Sequence, residues 1–413
     1  MIIIDILSYI LYVIVSICTI RLVNIETKSF VNITSVFVLP YLIICTIQEI
    51  VCLTFDFFQL PNFEYWFINI VFVFVTGLVE FVMSSLSQKR IFINSFTEYY
   101  DKQHLSKLFI ALAALAVIAT GIDSFKMVNS IELGILLQDD FQDEFGESAG
   151  GNFYIRLLTL IMAVYFLGIN KSKIGYMIGL LCFVPHIVVN TKGILFIPVI
   201  ASLLTRIILG RITSFKKTFL ILGILGVFIF FSSYLLENLI YKESVDFDRL
   251  IFLCEKLISY MLSGVQEFFV NIRDGIEHNV NKVNITLAPI ENLFAKFGIG
   301  ESVSNVNTEF YRSIGKLPHY GAVYSNVNGY IGTLYLFNGL IGGLLYHVFL
   351  IIIAFLIKIK TYACKRPFWI ILYSLFLSGF FLGWFEFYFM HTFWVYFIVL
   401  TFIIDYFSRF LKY

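Results

Sequence analysis

Charge is what this sequence has least of. Only 14% of its 413 residues are Asp, Glu, Lys or Arg, against roughly 25% in a soluble domain, which excludes a water-facing surface of ordinary extent. Neither sign dominates: 29 basic and 28 acidic residues leave a net charge of +1, without the basic excess of a nucleic-acid-binding protein. Proline is scarce, at 7 residues, and cysteine scarcer, at 6. Cys18, Cys45, Cys52, Cys182, Cys254 and Cys364 form no CxxC and no metal-like spacing. Most fall inside apolar runs, where a thiol serves as a small hydrophobe. Cys254 stands by itself in the long polar segment, so no disulfide closes within that segment. Walker A, GxGxxG, HExxH and GxSxG patterns are missing too. No internal repeat and no low-complexity linker divides the chain. No metal and no cofactor is expected.

What the sequence has instead is apolar length. Hydrophobic residues make up 59% of the chain and the mean hydropathy is +0.87. Runs of about 20 such residues, long enough to cross the roughly 30 Å hydrocarbon core as helices, recur along the chain. They do not alternate polar with apolar, as barrel strands would. The runs predict about eleven spans, at 2–21, 33–55, 65–87, 105–121, 152–169, 173–190, 193–210, 218–238, 330–357, 367–386 and 390–408. The first starts at Met1 without a basic leader or a small-residue cleavage site, and is expected to be a retained helix. Lysine and arginine set the orientation. Arg21 and Lys28, Lys89 to Lys107, Lys171 and Lys173, Arg206 to Lys217, Lys358 to Arg366, and Arg409 with Lys412 all fall on one side of an eleven-span chain. That side is expected to be cytoplasmic, with the N-terminus outside and the C-terminus inside.

Two outward loops are long. Residues 122–151 begin amphipathically and end in an acidic run, Asp139, Asp140, Asp143, Glu144 and Glu147, which reads as an interfacial helix with a solvated tail. Residues 239–329 open on an apolar pattern recurring at three and four, from Leu250 through Leu262 to Phe269. That pattern predicts an amphipathic helix on the membrane or against the bundle. The chain thus divides into 1–238 (spans one to eight with loop 122–151), the large loop 239–329, and 330–413 (spans nine to eleven).

Candidate chemistry gathers at the outward face, where ionisable groups beside lipid are costly unless used or paired. Between 243 and 324 there are seven Lys/Arg against ten Asp/Glu, so an anion would be gripped by particular arginines and not by a basic surface. Arg312 leads, with Glu309, Tyr311, His319 and Tyr320 near it in sequence; the bland alternative is a Glu309–Arg312 ion pair at i,i+3 on a short helix. Lys192, in the turn Asn190-Thr-Lys-Gly193, either faces the outer vestibule or snorkels to the interface. Arg156 lies four residues into a span, and Arg249 and Arg273 flank the amphipathic helix. His186 beside Pro185, Glu49 and Glu80 read either as satisfied core groups or as functional ones.

The segment Asn326-Val-Asn-Gly-Tyr-Ile-Gly-Thr-Leu-Tyr-Leu-Phe-Asn-Gly-Leu-Ile-Gly-Gly343 resembles one that oligosaccharide repeat-unit polymerases, the O-antigen or Wzy-type family, carry after their large periplasmic loop. Asn190-Thr-Lys-Gly193 is similar to a short Ser-Arg-Gly turn in the same family, with lysine in place of arginine. The resemblance runs from about residue 150 to the C-terminus. It implies an all-α polytopic membrane protein, GT-C-like in layout, with its large, partly helical periplasmic loop between helices eight and nine. The adjacent acidic pair that metal-dependent GT-C enzymes carry in an early outward loop is missing here, since Asp139-Asp140 is embedded in a longer run. The implied activity is metal-independent transfer of a growing glycan from undecaprenyl pyrophosphate to a hydroxyl of an incoming lipid-linked repeat, at the periplasmic face of a bacterial inner membrane. Implied partners are the undecaprenyl-pyrophosphate-linked oligosaccharide, membrane lipids and a chain-length-determinant protein, with no nucleic acid. Arg312 and Lys192, with Arg156, Arg249 and Arg273, would stabilise the departing pyrophosphate. His319 or Glu309 would take the acceptor's proton, and Tyr311, Tyr320, Asn326 and Asn328 would line the sugar site. The rival readings are an O-antigen ligase or other lipid-linked sugar transferase, and a flippase or transporter; the last predicts repeat symmetry and mid-membrane polar residues.

Overall fold

The apolar runs fold as helices in a computed structural model that describes residues 2–54, 58–87, 107–130, 152–170, 172–184, 192–212, 247–275, 287–295, 297–301, 312–364 and 366–410, with isolated positions between 220 and 231. In chain order the helices are α1 (Ile2–Thr27), α2 (Ile33–Thr54), α3 (Phe63–Ser87), α4 (Lys107–Ser130), α5 (Asn152–Val164), α6 (Lys173–Leu181), α7 (Lys192–Ile208), α8 (Phe247–Arg273), α9 (Ala288–Ala295), α10 (Gly329–Cys364), α11 (Pro367–Phe381) and α12 (Phe393–Phe410). Among the described residues, α1, α2, α3, α10 and the stretch Pro367–Trp384 are long and apolar enough to cross a membrane. Shorter apolar helices lie at Phe109–Ile122, Ile155–Ile169, Phe196–Ile208 and Phe393–Ile403. This is the architecture of a helical membrane protein. Among the described residues it departs from all-α in one place: strands β1 (Arg312–Leu317) and β2 (Gly321–Ser325) pair antiparallel as a hairpin between α9 and α10.

The chain forms two compact units. The first comprises Met1–Arg90, Val245–Leu356 and Gly379–Thr392. Here α1 and α3 approach closely at Gly77, where an added Cβ would fall 2.1 Å from the Thr19 methyl; small residues permit such approaches between apolar helices. The α2 N-terminus is tied down by two buried polar groups. Asn32 accepts from the Ser35 amide, and the Glu80 carboxylate of α3 accepts from the Ile33 and Thr34 amides at 3.1 and 2.7 Å and from the Thr34 hydroxyl at 2.8 Å. An anion facing the free amides of a first turn is favourable for charge and for hydrogen bonding. Glu80 is therefore a helix-capping group, one of the two alternatives open from sequence; Glu49 is buried on α2.

Deeper in this unit, Phe37, Tyr41, Tyr330, Phe380, Phe387 and Phe389 pack ring against ring around His347. Both imidazole nitrogens are engaged. The single Thr76 hydroxyl proton goes to the Phe72 carbonyl, so Nε2–H donates to Thr76 Oγ1 at 2.7 Å while Nδ1 accepts from the Tyr330 hydroxyl at 2.8 Å. That accounting makes His347 a neutral structural group. The turn Leu382–Trp384 is held by Tyr41, whose hydroxyl donates to the Gly383 carbonyl and accepts from the Ile331 amide. Within α10 the helix breaks at Gly339, whose φ of +66° and ψ of 178° lie in a region only glycine enters freely.

The second unit comprises Ile91–Ser244, Ile357–Ser378 and Phe393–Tyr413. Helix α5 ends in a π-helical turn, Tyr165–Ile169, and the Arg211 guanidinium donates to the Gly168 and Ile169 carbonyls there. Ser172 caps α6 by accepting from the Gly175 amide, and Thr205 of α7 donates to Ser374 of α11 at 2.7 Å. Arg206 meets Tyr176, and Arg366 lies 3.7 Å from Asp405. Helix α6 closes at Leu181, short of the expected span 173–190. Cys182 and Phe183 form a turn there, and residues 185–190 of that span lie outside the described residues.

Candidate functional site

Helix α8 is the expected amphipathic helix, and its apolar positions pack into the first unit. It is anchored at two points. Gln266 accepts from the Gln48 side chain at 2.7 Å, and Gln48 in turn accepts from Tyr65. At Gly264 the helix lies against the turn after α11, with the Phe385 and Trp384 carbonyls where a side chain would begin.

The hairpin straps α8 along its length. At its turn, Glu255 reaches up from the helix. Its Oε2 accepts from the His319 and Tyr320 amides at 2.8 and 2.7 Å, and its Oε1 lies 2.9 Å from His319 Nδ1. Burial pushes this carboxyl upward, but the His319 ring bond and the two amides outweigh it, and the net direction is below the ordinary value. A carboxylate only accepts, so Nδ1 is the donor to Glu255 and Nε2 is the ring nitrogen turned away from that bond. The His319 side chain is 45% exposed, which leaves Nε2 open to a ligand. Tyr320 packs on Phe252 with ring centroids 5.2 Å apart, and the Arg249 guanidinium lies 4.9 Å over that same ring.

The open end of the hairpin meets a second stripe of α8, Glu267, Asn271 and Asp274, at the i, i+4, i+7 spacing of one helix face. Glu267 Oε2 accepts from the Val327 amide at 2.9 Å. Asn271 donates to the Asn328 side chain, and Asp274 lies 3.5 Å from the Arg312 guanidinium. Arg273 bonds Asp274 and Gln59. Glu267 is fully buried. Burial lifts its pKa from 4.5 to about 8, against the opposing pull of the Ser325 hydroxyl, the Val327 amide and the Arg312 cation. A folded-state pKa above the unfolded one makes Glu267's contribution complete below about 4.5 and lost as pH rises through about 8. The unfolding midpoint of the wild type is therefore expected to fall across that window, by the equivalent of a few kcal/mol at about 1.4 kcal/mol per pKa unit. Glu267→Gln, which keeps the neutral shape, should flatten the decline; parallel pH profiles for the two proteins would refute the assignment.

The expected cluster around Arg312 is thus split. Arg312 opens β1 and His319 lies in the turn beyond its other end, roughly 20 Å away at about 3.3 Å per strand residue. Arg312 begins a strand, and Glu309, its expected i,i+3 partner, lies outside the described residues. His319, Tyr320 and Arg249 come together; Arg312, Arg273 and Asn328 come together at the other end; Asn326 is exposed beside the second group. Arg156 is buried near the start of α5, and Lys192 begins α7, both in the second unit. Glu309, Tyr311, His186, the acidic run 139–147 and the side chain of Lys192 lie outside the described residues. Glu255, Glu267, Asn271 and Asp274 were not singled out from sequence. Their one signal is polar positions on α8 facing a partner segment some 60 residues downstream. No group of three or more metal-ligating side chains occurs among the described residues.

Residues 63–412 match a family described as a family of unknown function, DUF6337. The chain belongs to the DUF6337 family. The match takes in α8 and the hairpin, the second unit up to residue 412, and the first unit of this DUF6337 protein from residue 63 onward. No curated protein and no solved structure matches the chain.

Proposed function

We propose that this DUF6337 protein is an oligosaccharide repeat-unit polymerase of the bacterial inner membrane. About eleven spans would hold residues 239–329 on the periplasmic face in a GT-C-like layout, with the N-terminus outside and the C-terminus in the cytoplasm. The observation that carries the reading is the Glu255–His319 pair: an accessible imidazole whose other nitrogen is fixed by a buried carboxylate, the arrangement of an oriented general base. In the reaction, an acceptor hydroxyl of the incoming repeat attacks the anomeric carbon of the lipid-linked chain. The bond from that carbon to the pyrophosphate oxygen breaks, the hydroxyl proton passes to His319 Nε2, and undecaprenyl pyrophosphate leaves as an anion. Arg249, which lies over the Phe252 ring that Tyr320 packs on, serves the departing pyrophosphate. Arg312 and Arg273 stand at the far end of the hairpin, where they would meet the glycan with Asn326 and Asn328. Roles for Arg156, Lys192, Glu309 and Tyr311 rest on sequence alone.

Deleting the gene tests the reading against its nearest rivals. Surface lipid capped with single repeats, seen on a gel, is the expected result. Free lipid-linked polymer would indicate a ligase, and an unchanged ladder of long chains would remove the protein from glycan assembly.

A further inference from the structure

Three buried polar atoms at the open end of the hairpin make no hydrogen bond: Glu267 Oε1, Asn271 Oδ1 and Arg312 Nε. Glu267 and Asn271 are both fully buried. Each is already engaged through its other polar atom, Glu267 with the Val327 amide and Asn271 with Asn328, while a terminal nitrogen of Arg312 faces Asp274. The three residues are held to one locality by the fold. Glu267 and Asn271 are one turn apart on α8, Arg312 pairs with Ser325 across the hairpin, and Val327 follows two residues later. Leaving a buried donor or acceptor unmatched carries the full desolvation cost of that group, and a native structure accepts it where something else supplies the bond.

The chemistry of that something is constrained. It must donate to an amide oxygen, accept from a guanidinium N–H, and bond a carboxyl oxygen that accepts when ionised and can donate when protonated. A group that does both is a hydroxyl, and neighbouring hydroxyls on a ring would satisfy all three atoms together. Phosphate and carboxylate ligands fit poorly, because they bring only acceptors to the Asn271 amide oxygen, itself an acceptor.

We infer that Glu267, Asn271 and Arg312 form a subsite for the hydroxyl edge of a pyranose sugar, where the hairpin closes on α8. Glu267 lies twelve residues beyond Glu255, about 18 Å along the helix at 1.5 Å per residue. The subsite is therefore set apart from the His319 base and engages sugar units removed from the bond being made. The elevated proton affinity of Glu267 supports it, since a carboxyl that is neutral near pH 7 can donate as well as accept.

This subsite rests on the glycan-transferase reading for its biology, but binding is measured without turnover. The full chain in detergent is examined by saturation-transfer NMR with glucose, galactose, rhamnose and N-acetylglucosamine, using glycerol as a linear polyol. The expected result is transfer to at least one pyranose and none to glycerol. Asn271→Leu and Arg312→Met should each weaken binding roughly ten- to hundredfold, the worth of a hydrogen bond to a charged or buried group. His319→Ala should leave the signal in place. If either subsite variant fails to fold, judged by its unfolding midpoint, Arg312→Lys is used, which keeps a cation but loses the Nε donor. No pyranose signal in the wild type would mean that water alone fills the three bonds, and overturns the inference. So would a signal that survives the subsite variants or disappears in His319→Ala. Single-repeat surface lipid in the deletion strain without sugar binding refutes the subsite only; sugar binding with unchanged polymer refutes the transferase reading only.

Discussion

Replacing Gly264 by alanine is expected to cost this protein its fold. The new Cβ would lie 2.2 Å from the Phe385 carbonyl oxygen, 2.6 Å from that of Trp384 and 2.9 Å from the Phe385 carbonyl carbon. All three are backbone atoms, so no change of rotamer relieves the overlap; either α8 withdraws or the turn after α11 moves. That turn cannot move cheaply. Gly383 holds the Tyr41 hydroxyl, Tyr41 holds the Ile331 amide, and Gly329 sits 3.2 Å from the Trp384 carbonyl by the same measure. The substitution should destabilise by about 3 kcal/mol or more, the upper range for overpacking. Detergent extraction followed by size-exclusion should show lost or aggregated protein. Gly121→Ala on α4 is the control: nothing lies within 4 Å of its added Cβ, and alanine is favoured over glycine in a helix by about 1 kcal/mol. A well-behaved Gly264→Ala protein would mean that α8 does not lie against the 384–385 turn.

His319→Ala is expected to cut polymerisation by about 10²- to 10⁴-fold, the usual worth of a general base, while leaving the unfolding midpoint near that of the wild type. The two effects separate because the ring is 45% exposed and fills little core. Gln at 319 should not restore activity, since an amide does not accept a proton at neutral pH, but added imidazole should partly restore the alanine variant. Glu255→Gln should lower both activity and stability: its NH2 group offers a donor where the two turn amides or the ring N–H need an acceptor. The measurement is the rate of chain extension with lipid-linked repeats in proteoliposomes. Retained extension by His319→Ala removes this residue from the chemistry and returns the Glu255 contact to a purely structural role.

The helices were legible because long apolar runs and a three-four pattern are local signals. The runs now folded as α2 and α3 start and stop close to where the sequence placed them, whereas α1 ends at Thr27 against an expected 21 and α10 at Cys364 against an expected 357. The hairpin was not legible, and its register explains why. A bulge between Ser313 and Gly315 puts Ile314 and Leu317, three residues apart, on the same buried side. Strict alternation, the mark of a strand, is therefore broken in β1, and the spacing imitates a helical turn. Nearness in sequence drew Arg312 and His319 together, but seven residues along a strand and its turn reach roughly 20 Å. Glu255 and Glu267 were passed over for a related reason. A carboxylate among apolar residues on a helix reads as its wet face, and only the returning chain from 312 to 328 turns that face inward.

The break at Gly339 has a bearing on how this chain meets a bilayer. An unbroken α10 of 36 residues would reach about 54 Å, far more than a hydrocarbon slab of roughly 30 Å can cover. Divided at the glycine, its C-terminal part from 340 to 364 spans about 37 Å, a length that a modest tilt accommodates. The ten residues before it form a separate short helix that carries Tyr330 and Ile331 into the aromatic cluster.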